Sequence, residues 1–155
     1  PCNLFVAGFI GSPQMNFIEA KLLKEGSDFY VEFGSEDTKT RAGVKYKIKL
    51  PADKNKKDCL VPYVDKEVIM GIRPENVHNE PELRAANQDG IIEANVDVTE
   101  LMGAEIYLYL TIGETNLIAR VSSRSASRAG DTIKVAFDTS RLHIFDKDTE
   151  RCIIH

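Results

Sequence analysis

Three stretches of this chain alternate apolar and polar residues with a period of two, and that period restricts the fold more than any other feature. Val44, Tyr46, Ile48 and Leu50 are separated by Lys45, Lys47 and Lys49. Ile92, Ala94, Val96 and Val98 are separated by Glu93, Asn95 and Asp97, and Ile106, Leu108, Leu110 and Ile112 by Tyr107, Tyr109 and Thr111. Successive side chains of a strand point to opposite faces, so each stretch reads as a strand with one buried and one wet face. Shorter runs predict further strands at Phe17–Leu22, Phe29–Phe33, Val68–Ile72, Leu117–Ser122, Thr132–Phe137 and His143–Phe145. Turn-forming residues separate them: Gly26-Ser27-Asp28, Ser35–Gly43, Gly103, Gly113–Asn116 and Gly130-Asp131. Short strands at this spacing predict an all-β barrel or sandwich with minor helix.

The remaining segments are few. Asn3–Gly11 reads as a short apolar helix capped by Asn3 and ended by Gly11, too short and too apolar to stand alone in water. It is expected to pack on something, a preceding domain being the natural partner. The polar stretches Ala52–Asp58 and Asn79–Gly90 are the longest loops, with a helical turn within Pro81–Asn87. With 155 residues the chain falls in the single-domain range, where about 68–70% of the unfolded chain's surface is buried. The longest apolar run, Leu4–Ile10, is far below the roughly 20 residues that span a bilayer, so no direct membrane insertion is expected. A net charge of −4 supplies no general attraction to phosphate polymers, and no nucleic-acid partner is expected. Cys2, Cys59 and Cys152 are odd in number and widely spaced, as reduced thiols in a cytoplasmic setting would be. A first residue of Pro1 rather than Met suggests a processed product or a fragment.

Residues with chemical potential are scattered. A phosphate-binding loop needs a lysine directly after a glycine, so that backbone amides and the ammonium hold the phosphates together; the chain has no Gly-Lys pair and no Gly-Gly pair. No catalytic residue, bound cofactor or metal is therefore expected in it. Cys152 and His155 have a metal-like spacing without a second pair, and the tail is expected to fray. His143, between Leu142 and Ile144, reads as a structural side chain in a strand. Arg120, Arg124 and Arg128 recur every four residues. If helical, they form a basic stripe able to hold a sugar phosphate or oxyanion; otherwise they are solvated loop arginines paired to nearby acids. Gly71-Ile72-Arg73-Pro74-Glu75 closes a strong strand, because Pro74 has no amide to donate. Arg73 and Glu75 then stand at the sheet rim as either a local ion pair or a partner contact.

Three segments together resemble one family. Asn3–Asn16 resembles the junction that closes the ATPase domain of carbohydrate-importer ABC subunits, the maltose, multiple-sugar and glycerol-3-phosphate group. Gly71–Glu75 resembles the strand-turn motif of their C-terminal regulatory domain, and Gly130–Asp138 with Arg141–Asp146 and Thr149 its terminal strand pair. The resemblance implies an OB-like β-barrel of short antiparallel strands with a short N-terminal helix, residues 1–14 being the remnant of the ATPase domain and 15–155 the regulatory domain. It implies a homodimer through this domain, contacts with the parent's ATPase domain and membrane permease subunits, and in some members a cytoplasmic regulator. ATP and Mg would belong to the parent, at the inner face of the cell membrane. Gly71, Arg73, Pro74 and Glu75 are the expected contact and regulatory residues, with Phe145 and Asp146 closing the barrel. A stand-alone small-ligand-binding module of the same fold is the alternative.

Overall fold

A computed structural model describes residues 3, 14–34, 45–55 and 58–154. Eleven strands are described: β1 (Asn16–Glu25), β2 (Asp28–Gly34), β3 (Lys45–Lys49), β4 (Glu67–Ile72), β5 (Val77–His78), β6 (Ile91–Met102), β7 (Glu105–Ile112), β8 (Thr115–Ser122), β9 (Thr132–Phe137), β10 (His143–Asp146) and β11 (Cys152–Ile154). Two helices of one or two turns, α1 (Ala52–Asn55) and α2 (Pro81–Ala86), accompany them. Six strands form a sheet in the order β11-β10-β4-β1-β2-β3 and five another in the order β5-β9-β6-β7-β8, with every pairing antiparallel. β8 runs beside β5 and the start of β1, so the sheets curl toward a nearly closed barrel.

The alternation decides which residues fill it. Ile18, Ala20 and Leu22 of β1, Val31 and Phe33 of β2, Val68 and Met70 of β4, Leu108 and Leu110 of β7 and Phe137 of β9 share one core. All nine expected strands form. Gly26, Gly103, Gly113 and Gly130 take positive φ at the expected turns. A smaller cluster of Met15 and Phe145, flanked by Ile69 and Cys152, lies apart from the main core.

The structure corrects the reading at the C-terminal end. Rather than fraying, Cys152–Ile154 forms β11 on β10, and Ile154 is buried in the main core. Three residues are too few to display a period, which is why the strand escapes a pattern argument. Asn3 forms an isolated bridge to Arg151. The rest of the expected Asn3–Gly11 helix and the Ser35–Gly43 turn lie outside the described residues. No described helix is long and apolar enough to cross a membrane.

Candidate functional site

β4 sits between β1 and β10, and its end at Gly71 is tightly packed. Gly71 pairs with Phe17 on one side and His143 on the other. A Cβ there would stand 2.6 Å from Met15 Sδ and 2.8 Å from Phe145 Cε2, so glycine is what lets the small cluster close over the sheet. Arg73 is held extended at φ −75° and ψ 147°, as a residue before proline must be, and Pro74 opens a 3-10 turn over Pro74–Asn76. The Asn76 amide donates to the Arg73 carbonyl at 2.9 Å, and the Asp138 amide to the Asn76 carbonyl at 2.9 Å. The turn is thereby fastened to the end of β9.

Of the four residues singled out in the sequence, Gly71 and Pro74 are buried, Arg73 is half-buried and Glu75 is exposed. Glu75 does not close a local pair with Arg73. Its Oε2 lies 3.5 Å from Arg120 Nη2 on β8, and Arg120 Nε lies 2.8 Å from Glu105 Oε2 on β7. The guanidinium, held on its own sheet by Glu105, thus ties the turn after β4 to the other sheet through Glu75. That settles the arginine stripe as well. Arg120 is in a strand, Arg124 follows the strand's end and Arg128 lies in an irregular segment, so no helix lines the three up. Arg124 borders a polar cleft of about 510 Å³ between Asn79–Glu82 and Ser122–Ser127. Within it Asn79 Nδ2 donates to Ser125 Oγ (2.8 Å) and Ser127 Oγ (3.1 Å), so these groups satisfy one another.

Asp146 closes the opposite end. It accepts from Tyr63 Oη at 2.6 Å and from the amides of Asp148 and Thr149 at 2.8 Å each. The Tyr63 hydrogen bond, and after it the Thr149 amide, hold its carboxyl below the usual aspartate value; the same bond raises the Tyr63 phenol. Phe145 beside it is fully buried.

Several structural residues escaped the sequence reading. The Asn16 carboxamide donates to the Ile118 carbonyl and accepts from the Ile118 amide, both at 2.8 Å, imitating a peptide group at the seam between β1 and β8. A signal for it existed: Asn16 shares the inward parity of Ile18, Ala20 and Leu22. Tyr46 Oη likewise meets the amide (3.0 Å) and carbonyl (3.3 Å) of Glu93. Lys54, only 3% exposed, donates to the Leu142 carbonyl at 2.9 Å. Within Ala52–Asp58, expected as a polar loop, the short helix α1 turns this lysine inward. Among the described residues no three His, Cys, Asp or Glu side chains converge as a metal site.

Comparison with known proteins decides the family. The MalK OB fold domain matches residues 11–77 and the TOBE domain matches residues 70–145, meeting at the end of β4. The chain carries a MalK OB fold domain and a TOBE domain. This OB/TOBE chain is 39% identical over 150 residues to the oligosaccharides import ATP-binding protein MsmX of Bacillus subtilis, covering 97% of the chain and 37% of that relative. It is 35% identical over 155 residues to the trehalose/maltose import ATP-binding protein MalK of Thermococcus litoralis, covering 99% of the chain and 38% of that relative. The OB/TOBE chain thus spans well under half the length of these relatives. Among solved structures, the cytoplasmic molybdate-binding protein ModG with molybdate bound has the same fold, with a TM-score of 0.57 at 13% identity over 83% of this chain and 94% of that one.

Proposed function

We propose that this chain is the non-catalytic regulatory and dimerisation domain of the ATP-binding subunit of a sugar-type ABC importer. It pairs subunits and receives regulatory contacts, while the parent protein couples ATP hydrolysis to carbohydrate uptake. The extent of the likeness carries this reading: relatives named as sugar-import ATP-binding proteins match over 97% of this chain or more, yet the chain accounts for only 37–38% of each. On this reading residues 1–14 close the ATPase domain and residues 15–155 form the regulatory domain. The parent lies in the cytoplasm, peripheral to the inner face of the cell membrane, against permease subunits.

ATP and Mg are groups of the parent. The described residues do not fit a phosphate: Gly26, Gly103 and Gly113 sit in hairpin turns, and none opens a helix whose amides would cradle an anion. In the proposed contact region, Gly71 and Pro74 shape the turn while Arg73 and Glu75 face a partner. A small-ligand role would call on Arg120, and its guanidinium is already held by Glu75 and Glu105.

Sedimentation equilibrium of the parent subunit with and without residues 15–155, in the absence of nucleotide, tests the reading. The expected result is a dimer that dissociates when these residues are removed, and that Arg73→Glu weakens by about tenfold, the effect of truncating one interface anchor. Pairing that is equally strong without the domain overturns it.

A further inference from the structure

The barrel leaves several strand edges where one sheet ends beside the other, and side chains occupy them. Asn16 fills the edge of β8 at Ile118, Glu80 Oε1 accepts from the Ser122 amide at 3.2 Å, and Tyr46 fills β6 at Glu93. At β11, Cys59 Sγ lies 3.5 Å from the Ile153 carbonyl. Among the described residues, the far end of β6 has no such cover. β9 pairs with β6 only from Ile91 to Asn95, while β6 continues to Met102 against β7.

The two-residue turn Gly103-Ala104 makes Met102 and Glu105 a hydrogen-bonded pair. Hydrogen-bonded and non-hydrogen-bonded pairs alternate along an antiparallel ladder, so Met102, Glu100 and Val98 spend their amides and carbonyls on β7. Those of Thr99 and Leu101 point the other way. A bulge between Val96 and Val98 produces this arrangement, because it turns Val98 out of the core to face Tyr109. All five residues from Val98 to Met102 are exposed, and Val98 (53%), Leu101 (72%) and Met102 (45%) are three of the most exposed large apolar side chains described. Val98 also borders an apolar groove of about 630 Å³ with Met15, Phe17, Tyr109 and Ile118.

Glu100, at the centre of this edge, receives a hydrogen bond from Tyr109 Oη at 3.0 Å and has no cation within ion-pair distance among the described residues. We propose that the free edge of β6 at Val98–Met102 binds an extended segment of a partner polypeptide as an added strand, with a lysine or arginine of that segment opposite Glu100. Main-chain bonds to Thr99 and Leu101 give the affinity, and Glu100 with the neighbouring apolar side chains gives the selectivity. A second copy of this chain is a poorer occupant: in the antiparallel register that pairs all five residues, Glu100 lies opposite itself, and like charges directly opposite are destabilising. The proposal stands on the strand edge alone and not on the transporter reading above.

The test uses the 155-residue chain, labelled for amide NMR, and a capped seven-residue peptide of alternating valine and lysine. Two control peptides carry glutamate for lysine, or N-methyl groups on alternate amides. The expected result is a set of shifts confined to Val98–Met102 and the adjoining groove, with each control at least about tenfold weaker, the equivalent of one or two main-chain bonds or a misplaced charge. Leu101→Pro, which removes an outward amide without touching the β7 ladder, is expected to abolish binding. The N-methylated peptide asks the same question of an unaltered protein. Equal binding of all three peptides, shifts mapping elsewhere, or no binding at millimolar peptide overturns the proposal. So does a concentration-dependent dimer that Leu101→Pro dissolves, which would assign the edge to self-pairing.

Discussion

Single side chains hold this barrel at places where the backbone ladder runs out. Asn16 replaces a missing peptide neighbour of Ile118 with both a donor and an acceptor, so Asn16→Ala strands two backbone groups at once. The expected cost is about 1–3 kcal/mol, the usual range for a part-buried group left unsatisfied, read as a lower urea midpoint at unchanged slope. Gly71→Ala places a methyl group against Met15 Sδ and the buried Phe145 ring. Met15 can swing away and Phe145 cannot, so a loss of about 1–3 kcal/mol is expected from overpacking, and Met15→Ala in the same chain should recover part of it. Asp146 contributes to acid sensitivity. Its folded pKa lies below its unfolded one, so the stability it contributes is present above the ordinary aspartate range and is lost as pH falls through the folded value. Melting curves between pH 2 and 6 are expected to fall less steeply for Asp146→Asn than for the unaltered chain, at about ordinary carboxylate pH values; parallel curves would remove Asp146 from that role.

At the scale of elements, β11 is the informative case. It is three residues long, yet Ile154 reaches the main core, so Ile154→Ala is expected to cost about 2–5 kcal/mol in denaturant unfolding, as burial of a large aliphatic side chain implies. A frayed tail would register almost nothing. The contrast explains what was legible in the sequence. Strands of five residues or more, such as β1 and β7, declare themselves because a half-buried face imposes period two on every residue. β5 and β11 are held by their neighbours rather than by a pattern of their own, and two or three residues cannot exhibit a period. The turn after β4 was legible in part: Pro74 marks the end of β4, but the carboxylate and guanidinium that meet there, Glu75 and Arg120, are 45 positions apart, and no local spacing foretells such a pair. The arginine repeat left two readings open, a helical stripe or arginines paired to nearby acids, and only the backbone separates them. A spacing of four suggests a helix face only where the backbone is helical, and Arg120 lies in a strand whose alternation, Leu117, Ala119 and Val121 inward, is the stronger signal.

For the whole molecule, the pairings join residues far apart in the chain: β1 with β4, β4 with β10, and Asn16 with Ile118 across 102 positions. Such topology makes loop closure precede most of its reward, and stopped-flow refolding is expected in the range of about milliseconds to seconds rather than microseconds. The outward charges add solubility more than cohesion. Lys45 and Lys49 meet Glu32 and Asp28 at 3.9 and 3.6 Å, and Lys47 lies against Glu25 and over the Tyr30 ring, so the basic stripe of β3 is neutralised by its own neighbours. The position of β1 has a mechanical consequence. It pairs with β4 along Asn16–Lys21 and with β2 along Lys21–Glu25, and its first residue grips β8. A pull entering at Met15 runs along the strand and loads all of those bonds in shear together, whereas a pull on a hairpin would open them one at a time. The barrel therefore behaves as a stiff body toward a force applied at Met15, passing on displacement instead of absorbing it.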